Sequence, residues 1–436
     1  MEQKTNNGSN GKKKFLFVSN ESLSGDLAWQ VKKEGHEVRC HIRRKEDSDV
    51  YEGLLEKVPD WKGNLDWADV IVFDDTGFGE TADKLRKEGK LVVGGSAYTD
   101  MLEEDRQFGQ QEMKEVGMEI LPQWNFTVID EAIEFLRSNP GRYVFKPSGM
   151  VGSEGKSLLF IAQEEDGKDL LEVMIHNRTS WSKKIKQFQL QKYAAGVEVA
   201  VGAFFNGNDF ILPVCVNFEH KRMFPGDIGP FTGEMGTLMY YAETNEIFRR
   251  TLARVKAKLA EKKYVGFIDI NCIADRHGIH PLEFTSRFGY PTISIQMEGI
   301  LTPWGELLYN LAAGKQFELK TKKGFQVGVV LAVPPFPFDD PKTSAVYADS
   351  SILFKKSSLE GVHLGDVKLV EGDFRLAGDS GYALVITGSG STVEEARKQV
   401  YNRVRNVMLQ NLFYRVDIGV RWYADSDRLQ TWGYSY

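Results

Sequence analysis

The chain has 436 residues, too many for one hydrophobic core, and its 42% hydrophobic and 12% aromatic content is that of an ordinary folded enzyme of two or three domains. With 61 acidic against 55 basic side chains the formal charge is −6, which provides no basic field for nucleic acid or an acidic membrane and points to small-molecule partners. Cys40, Cys215 and Cys272 lie far apart without metal-ligand spacing, which excludes a disulfide framework or a zinc site and fits a reducing, cytoplasmic setting.

Residues 1–13 are polar and rich in Gly, Asn and Lys, and read as a disordered tail without the apolar centre of a signal peptide. No apolar run approaches the roughly 20 residues that span a bilayer, so no membrane segment is expected. FLFVS (Phe15–Ser19), the helix and strand of DLAWQVKKEGHEVRC, DVIVFDD (Asp69–Asp75), ETADKLRKEG and KLVVGG alternate as a doubly wound α/β domain over 14–120. From Leu121 longer strands take over, with Asn206-Gly207 as a hairpin signal, and an antiparallel sheet with a few helices is expected over 121–318. FQVGVVLAV, the loop PPFPFDDP, GYALVITGSGST and a long helix from Val393 then predict a small α+β part over 319–436. The fold class is therefore α/β and α+β, multidomain.

YVGFIDINCIA (Tyr264–Ala274) and IHPLEFTSR (Ile279–Arg287) flank the turn-like DRHG, which predicts an antiparallel hairpin. Alternation puts Asp269 and Asn271 on one face of the first strand, and Glu283, Thr285 and Arg287 on one face of the second. A five-residue connection or a bulge would bring the two polar sets together, with Asp269 opposite Glu283. Paired carboxylates repel unless a cation sits between them, and hard oxygen donors suit Mg²⁺; the alternative is a structural bridge from Glu283 to Arg287 or another cation.

Lys146 follows the apolar strand RYVF and precedes SGMVGSEGKS and the β-like SLLFI. GSEGKS resembles a phosphate-binding P-loop, but position 150 is Met where that loop requires Gly, and a strand rather than a helix follows. Two readings stay open: a glycine-rich flap over nucleotide phosphates with Lys146 beneath it, or a surface hairpin with an exposed lysine. GSGST (Gly388–Thr392) lacks the third glycine of a dinucleotide fingerprint.

A strand lysine, a glycine-rich flap, Gly196-Val-Glu198 and a carboxylate-bearing hairpin follow the order of parts in the ATP-grasp superfamily. EHKRMFPGDIGPFTGEMG (Glu219–Gly236), LEFTSRFGYP, VITGSGSTVEEARKQVYNRV and FYRVDIG (Phe413–Gly419) resemble stretches of the glycinamide ribonucleotide synthetase (phosphoribosylamine-glycine ligase) family. The resemblance implies ATP-dependent joining of a carboxylate to an amine through an acyl phosphate, with release of ADP and phosphate. It implies ATP contacts from Lys146, from the flap residues Gly149, Gly152, Glu154, Gly155 and Lys156, and from Glu198. It implies Mg²⁺ (or Mn²⁺) on Glu283, with Asp269 and Thr285, and charge neutralisation by Arg287. His220, Lys221 and Arg222 are expected to form a cationic patch for an anionic substrate or the acyl phosphate. The glycine-rich segment with Asp227, Gly229, Thr232 and Gly233, and the closing Arg415 and Asp417, are expected to shape the substrate pocket.

Several positions depart from the family pattern. Ser19–Asp26 reads SNESLSGD where the family has GNGGREHA, NTGGMG becomes FTGEMG with Glu234, and RFGDPE becomes RFGYP followed by Thr292. Glu154 replaces the flap lysine, leaving Lys156 as the candidate flap charge, and Thr285 replaces the metal-binding Asn. Three readings follow: a carboxylate-amine ligase of changed specificity, a genuine phosphoribosylamine-glycine ligase of purine biosynthesis, or a degenerate ATP-binding protein.

Overall fold

The computed structural model describes residues 11–148 and 158–435. The first apolar run forms β1 (Lys14–Ser19), buried along most of its length as expected of a central parallel strand. It pairs in parallel with β2 (Glu37–Ile42), which is followed by β3 (Glu56–Lys57), β4 (Val70–Phe73) and β5 (Val92–Val93), in the order β3-β2-β1-β4-β5. The order reverses between β1 and β4, so a crevice opens beyond their carboxyl ends, where Ser19–Ser24 and Asp74–Asp75 follow.

A second unit comprises β6 (Gln123–Phe126), β7 (Tyr143–Ser148), β8 (Phe160–Ile161) and β9 (Gln187–Lys192), in the order β6-β9-β7-β8. Alternation divides its faces. Trp124, Phe145, Phe188 and Leu190 turn toward the helices Ile129–Ser138 and Lys168–Lys184 and form a core of their own, with Phe145 stacked on Trp181 at 4.6 Å. Asn125, Lys146, Gln189 and Gln191 occupy the opposite, polar face.

The main sheet begins with the hairpin of β10 (Val197–Asn206) and β11 (Phe210–Glu219). Gly207 takes φ +89° in its turn, and the Asn206 side chain accepts from the backbone N–H groups of Asn208 and Asp209, as the Asn-Gly signal predicts. The short hairpin of β12 (Arg222–Phe224) and β13 (Ile228–Phe231) precedes β14 (Gly236–Ala242), β15 (Val265–Ala274), β16 (Ile279–Thr285) and β17 (Phe325–Ala332). After β18 (Ser351–Phe354), β19 (Val362–Leu364), β20 (Val367–Val370) and β21 (Asp373–Leu376), the chain returns as β22 (Tyr382–Gly390).

Eight strands join in the order β16-β15-β10-β11-β14-β17-β22-β19, so the segment after residue 318 extends the sheet begun before it. One large apolar core runs under this sheet and the first domain, separate from the core of the β6–β9 unit. Buried polar contacts fasten the two parts. Asp26 lies 2.8 Å from His363 Nδ1, and the Glu34 carboxylate accepts from Trp304 and Gly305 N–H at 3.0 and 2.8 Å, capping a helix N-terminus. Among the described residues no helix is long and apolar enough to cross a membrane.

Candidate active site

The turn after β15 is closed by Asp275, whose Oδ1 accepts from His277 and Gly278 N–H at 2.7 and 3.0 Å. On β16 a bulge inserts Leu282, so that Cys272 pairs with Pro281 while Asn271 pairs with Glu283 and Asp269 with Thr285. The bulge aligns the polar faces as expected, but the pairing of Asp269 with Glu283 is corrected: the partners are offset by two residues along the hairpin. Glu283, Asn271, Thr285 and Asp269 thus stand in two facing pairs on one side of the sheet. Register carries that polar face onward from Asp269 to Gly202 and from Asn271 to Ala200 and Asn217.

The face is crowded with acid. Asp269 is buried, and burial with the charge of Glu219 pushes its carboxyl well above the ordinary range. Burial likewise raises Glu219 and, with Glu219 as neighbour, Glu234. Lys221 Nζ lies 3.0 Å from Glu198, 3.4 Å from Glu219 and 4.0 Å from Glu283, and these carboxylates hold it cationic against the cost of its burial. Glu283 is also 3.9 Å from Arg106, so both Lys221 and Arg106 bridge to it. Arg287 instead reaches back to the first domain, with Glu103 at 3.0 Å and Asp75 at 3.7 Å. The bridge from Glu283 to Arg287 that sequence left open does not form.

Lys146 faces this cluster from the β6–β9 unit, its Nζ donating to Gln191 Oε1 at 2.7 Å. Burial and the neighbouring Arg106 pull its ammonium down to about 8. It is cationic below that value, so MgADP affinity should fall as pH rises through about 8, and the alkaline fall should vanish in Lys146→Arg. Nucleotide titrations from about pH 7 to about pH 9 check this; a wild-type affinity that does not change would rule out the expected phosphate contact from Lys146. Beside it a cleft of about 610 Å³ lies between Asn125, Pro147 and Gln189 on one side and Glu103, Arg106 and Gln110 on the other, with Glu283 in its wall.

The expected patch of His220, Lys221 and Arg222 does not form as a unit, because alternation sends Lys221 to the carboxylates and its neighbours elsewhere. His220 is buried and, under burial with Arg421 and Arg415 close by, is pushed down to about 3, so its ring is neutral. Arg222 lies over the Phe231 ring at 3.6 Å and donates to the Gly229 carbonyl at 2.7 Å. Thr232 contributes N–H and hydroxyl donors to the Lys221 carbonyl at 2.8 and 2.9 Å and so fixes that lysine's backbone. Gly233 borders open space.

Arg415, with 1% of its side chain exposed, donates twice to Asp417 at 2.8 and 2.7 Å and once each to Asp227 Oδ1 at 2.8 Å and the Arg222 carbonyl at 2.9 Å. These contacts consume its fork and pull Asp417 down to about 2. The trio ties the closing segment to the β12–β13 hairpin. Arg415→Met should therefore lower stability by about 2 kcal/mol in urea unfolding, by leaving Asp417 without its cation and Asp227 with only Arg421 at 3.7 Å; a loss under about 0.5 kcal/mol would contradict the assignment.

Gly149, Gly152, Glu154, Gly155 and Lys156 lie outside the described residues. Arg106, Glu219, Gln191, Asp74, Asp75 and Glu103 enter the surroundings of the site without having been singled out in the sequence. Only long-range pairing reveals them, apart from Asp74 and Asp75, which stand where strand VIVF gives way to a crevice loop.

Residues 104–293 match the family model described as phosphoribosylglycinamide synthetase, ATP-grasp (A) domain. Across those residues the chain is similar to an ATP-grasp domain. Among curated relatives, the chain is 26% identical over 352 residues to the phosphoribosylamine-glycine ligase of Halalkalibacterium halodurans, covering 79% of each. It is 25% identical over 347 residues to that of Listeria monocytogenes, covering 78% of this chain and 80% of the relative. Among solved structures, phosphoribosylamine-glycine ligase from Thermotoga maritima superposes with a TM-score of 0.70 at 22% identity over 93% of this chain and 100% of that one. The biotin carboxylase domain of Hydrogenobacter thermophilus 2-oxoglutarate carboxylase, solved with MgADP and bicarbonate, gives a TM-score of 0.63 at 12% identity over 92% and 91%.

The polar face of the hairpin fits a hard cation. Asp269 Oδ1 and Asn271 Oδ1 are buried oxygens without a hydrogen-bond partner among the described residues, on the face that also carries Thr285 and Glu283. Among the described residues no three acidic, His or Cys side chains form a ready cage.

Proposed function

We propose that this chain is an ATP-dependent ligase that joins a carboxylate to an amine, releasing ADP and phosphate. The observation that carries this reading is the gathering of Lys146, Glu198, Lys221, Glu283 and Arg287 around the polar hairpin of an ATP-grasp domain. Mg²⁺, when bound through Glu283, Asp269 and Thr285, would draw electron density from the phosphate oxygens.

In the first step a carboxylate oxygen bonds to the γ-phosphorus of ATP while the bond to the β–γ bridging oxygen breaks. A carboxylate is nucleophilic at neutral pH and needs no base, so the chain's contribution is position and charge: Lys146 and Arg287 offset negative charge on the moving phosphoryl group. In the second step the amine nitrogen bonds to the acyl carbon, phosphate departs and the amine loses a proton. Glu198 orients the ribose, and Lys221 holds Glu198 and Glu283 in place.

The substrate pair differs from phosphoribosylamine and glycine, a reading supported by the carboxylate of Asp74 at the loop Ser19–Asp26, where a phosphate would need free donors. The second reading, a genuine phosphoribosylamine-glycine ligase, is favoured by the names of relatives 24–26% identical over 77–79% of this chain. The deciding experiment is phosphate release from MgATP with glycine plus phosphoribosylamine, beside a panel of other amino acids and amines. Turnover with another pair alone is expected. Turnover with phosphoribosylamine would establish the second reading, and silence throughout with intact nucleotide binding would mean that ligation has been lost.

A further inference from the structure

Several donors of the loop after β1 are already engaged. Leu23 N–H donates to Ser19 Oγ at 3.2 Å, Gly25 N–H to the Ser22 carbonyl at 3.1 Å, and Ser24 gives both its N–H and its hydroxyl to Asp74 Oδ2 at 2.8 Å each. A carboxylate thus already occupies the place where a phosphate would be received. The cations nearby are engaged as well. Arg44 forks onto Asp379 at 2.8 and 3.0 Å and also meets Asp47, and Arg43 lies over Phe78 at 4.6 Å.

The opposite charge is what remains unanswered. Asp74 is fully buried and its Oδ1 has no hydrogen-bond partner; Glu234 is 6% exposed and its Oε1 has none either. Neither forms an ion pair among the described residues. Two tyrosines join their neighbourhoods: Tyr290 lies within electrostatic reach of Asp74 and Tyr382 within reach of Glu234, their rings 5.7 Å apart. The Tyr382 hydroxyl is buried and unpartnered, and Gly233, beside Glu234, faces open space. Lys221 acts on Glu234 from a distance without forming an ion pair, and among the described residues Asp74 has no ion pair either; desolvated carboxyls cost free energy without close cationic partners, and an ammonium offers each of them up to three donors.

We propose that Asp74 and Glu234, with the hydroxyl of Tyr382, bind an acceptor amine that carries a second positive charge and no phosphate, of the diamine or basic amino acid class. This rests on the ligase reading above. Glu234, beside Lys221 and Asp269, would receive the end that reacts, and Asp74 the distal ammonium.

The test is calorimetric titration of the full chain, saturated with MgADP, with 1,4-diaminobutane, L-lysine, butylamine and ribose 5-phosphate. At least one of the two dicationic probes should bind tenfold or more tighter than butylamine and ribose 5-phosphate, and Glu234→Gln and Asp74→Asn should each weaken it tenfold or more. Both substitutions keep shape and the Ser24 contact; if thermal melting shows one to be unfolded, Tyr382→Phe replaces it. Binding of ribose 5-phosphate in preference to both dicationic probes, equal binding of butylamine, or variants that bind like the parent would overturn the proposal. MgADP binding, titrated first, is a separate readout, and its absence would sink the ligase reading itself.

Discussion

Asp269→Asn is expected to lower ATP-dependent turnover at saturating Mg²⁺ about a thousandfold while raising the melting temperature of the nucleotide-free protein. Both effects follow from one placement. Asp269 is buried opposite Thr285, close enough to Glu219 and Glu103 for their charges to oppose its own. Its folded carboxyl therefore titrates well above its unfolded value near 4, and stability falls as pH rises from about 4 toward the folded value, because the unfolded chain has by then released the proton that the folded chain keeps. Asn keeps the shape and removes that cost. It also removes the anionic oxygen that a cation would use, so activity and stability should move in opposite directions. Phosphate-release assays beside melting curves at acid and neutral pH measure both, and a variant with normal turnover would take Asp269 out of the metal site.

The second large effect is expected at Arg287. Arg287→Met should reduce kcat/KM for ATP by about a hundredfold to a thousandfold and cost about 3 kcal/mol of stability. The guanidinium lies at the root of the hairpin, yet its ion pairs are with Glu103 and Asp75 of the first domain. Removing it would, on the proposed ligase reading, withdraw charge from the transferring phosphoryl group, and it leaves Glu103, a carboxyl already raised by burial, without its cation. Arg287→Lys separates the two roles. A point charge restores part of the turnover, while the loss of the two-armed reach to both acids should still show in urea unfolding. Equal activity in Met, Lys and parent proteins would confine Arg287 to a structural role.

Local pattern carried much of the architecture. The apolar runs of β1 and β4 and the helices between them announced the doubly wound domain, and Asn206-Gly207 announced its hairpin. Pairing between distant segments was not legible: nothing in FQVGVVLAV indicates that β17 will lie against β14 and prolong the same sheet. The register of the polar hairpin turned on Leu282, a bulge residue that looks like any other apolar strand position, and it moved the partner of Asp269 from Glu283 to Thr285. The run His220-Lys221-Arg222 looked like one basic patch because charge is visible in sequence while the side to which each residue turns depends on pairing. Arg415 reads as a polar residue near the chain end, and its burial against Asp227 and Asp417 appears once the β12–β13 hairpin is in place.

The β6–β9 unit keeps an apolar core separate from that of the main sheet, and its polar face meets the rest through side-chain amides such as the 3.1 Å contact of Gln189 with Gln110. Separation of the nucleotide cleft therefore disturbs hydrogen bonds that water can replace, and leaves both apolar cores intact. Open and closed arrangements should differ little in intrinsic free energy. Their populations would then be governed by how much better a bound ligand interacts with the closed one.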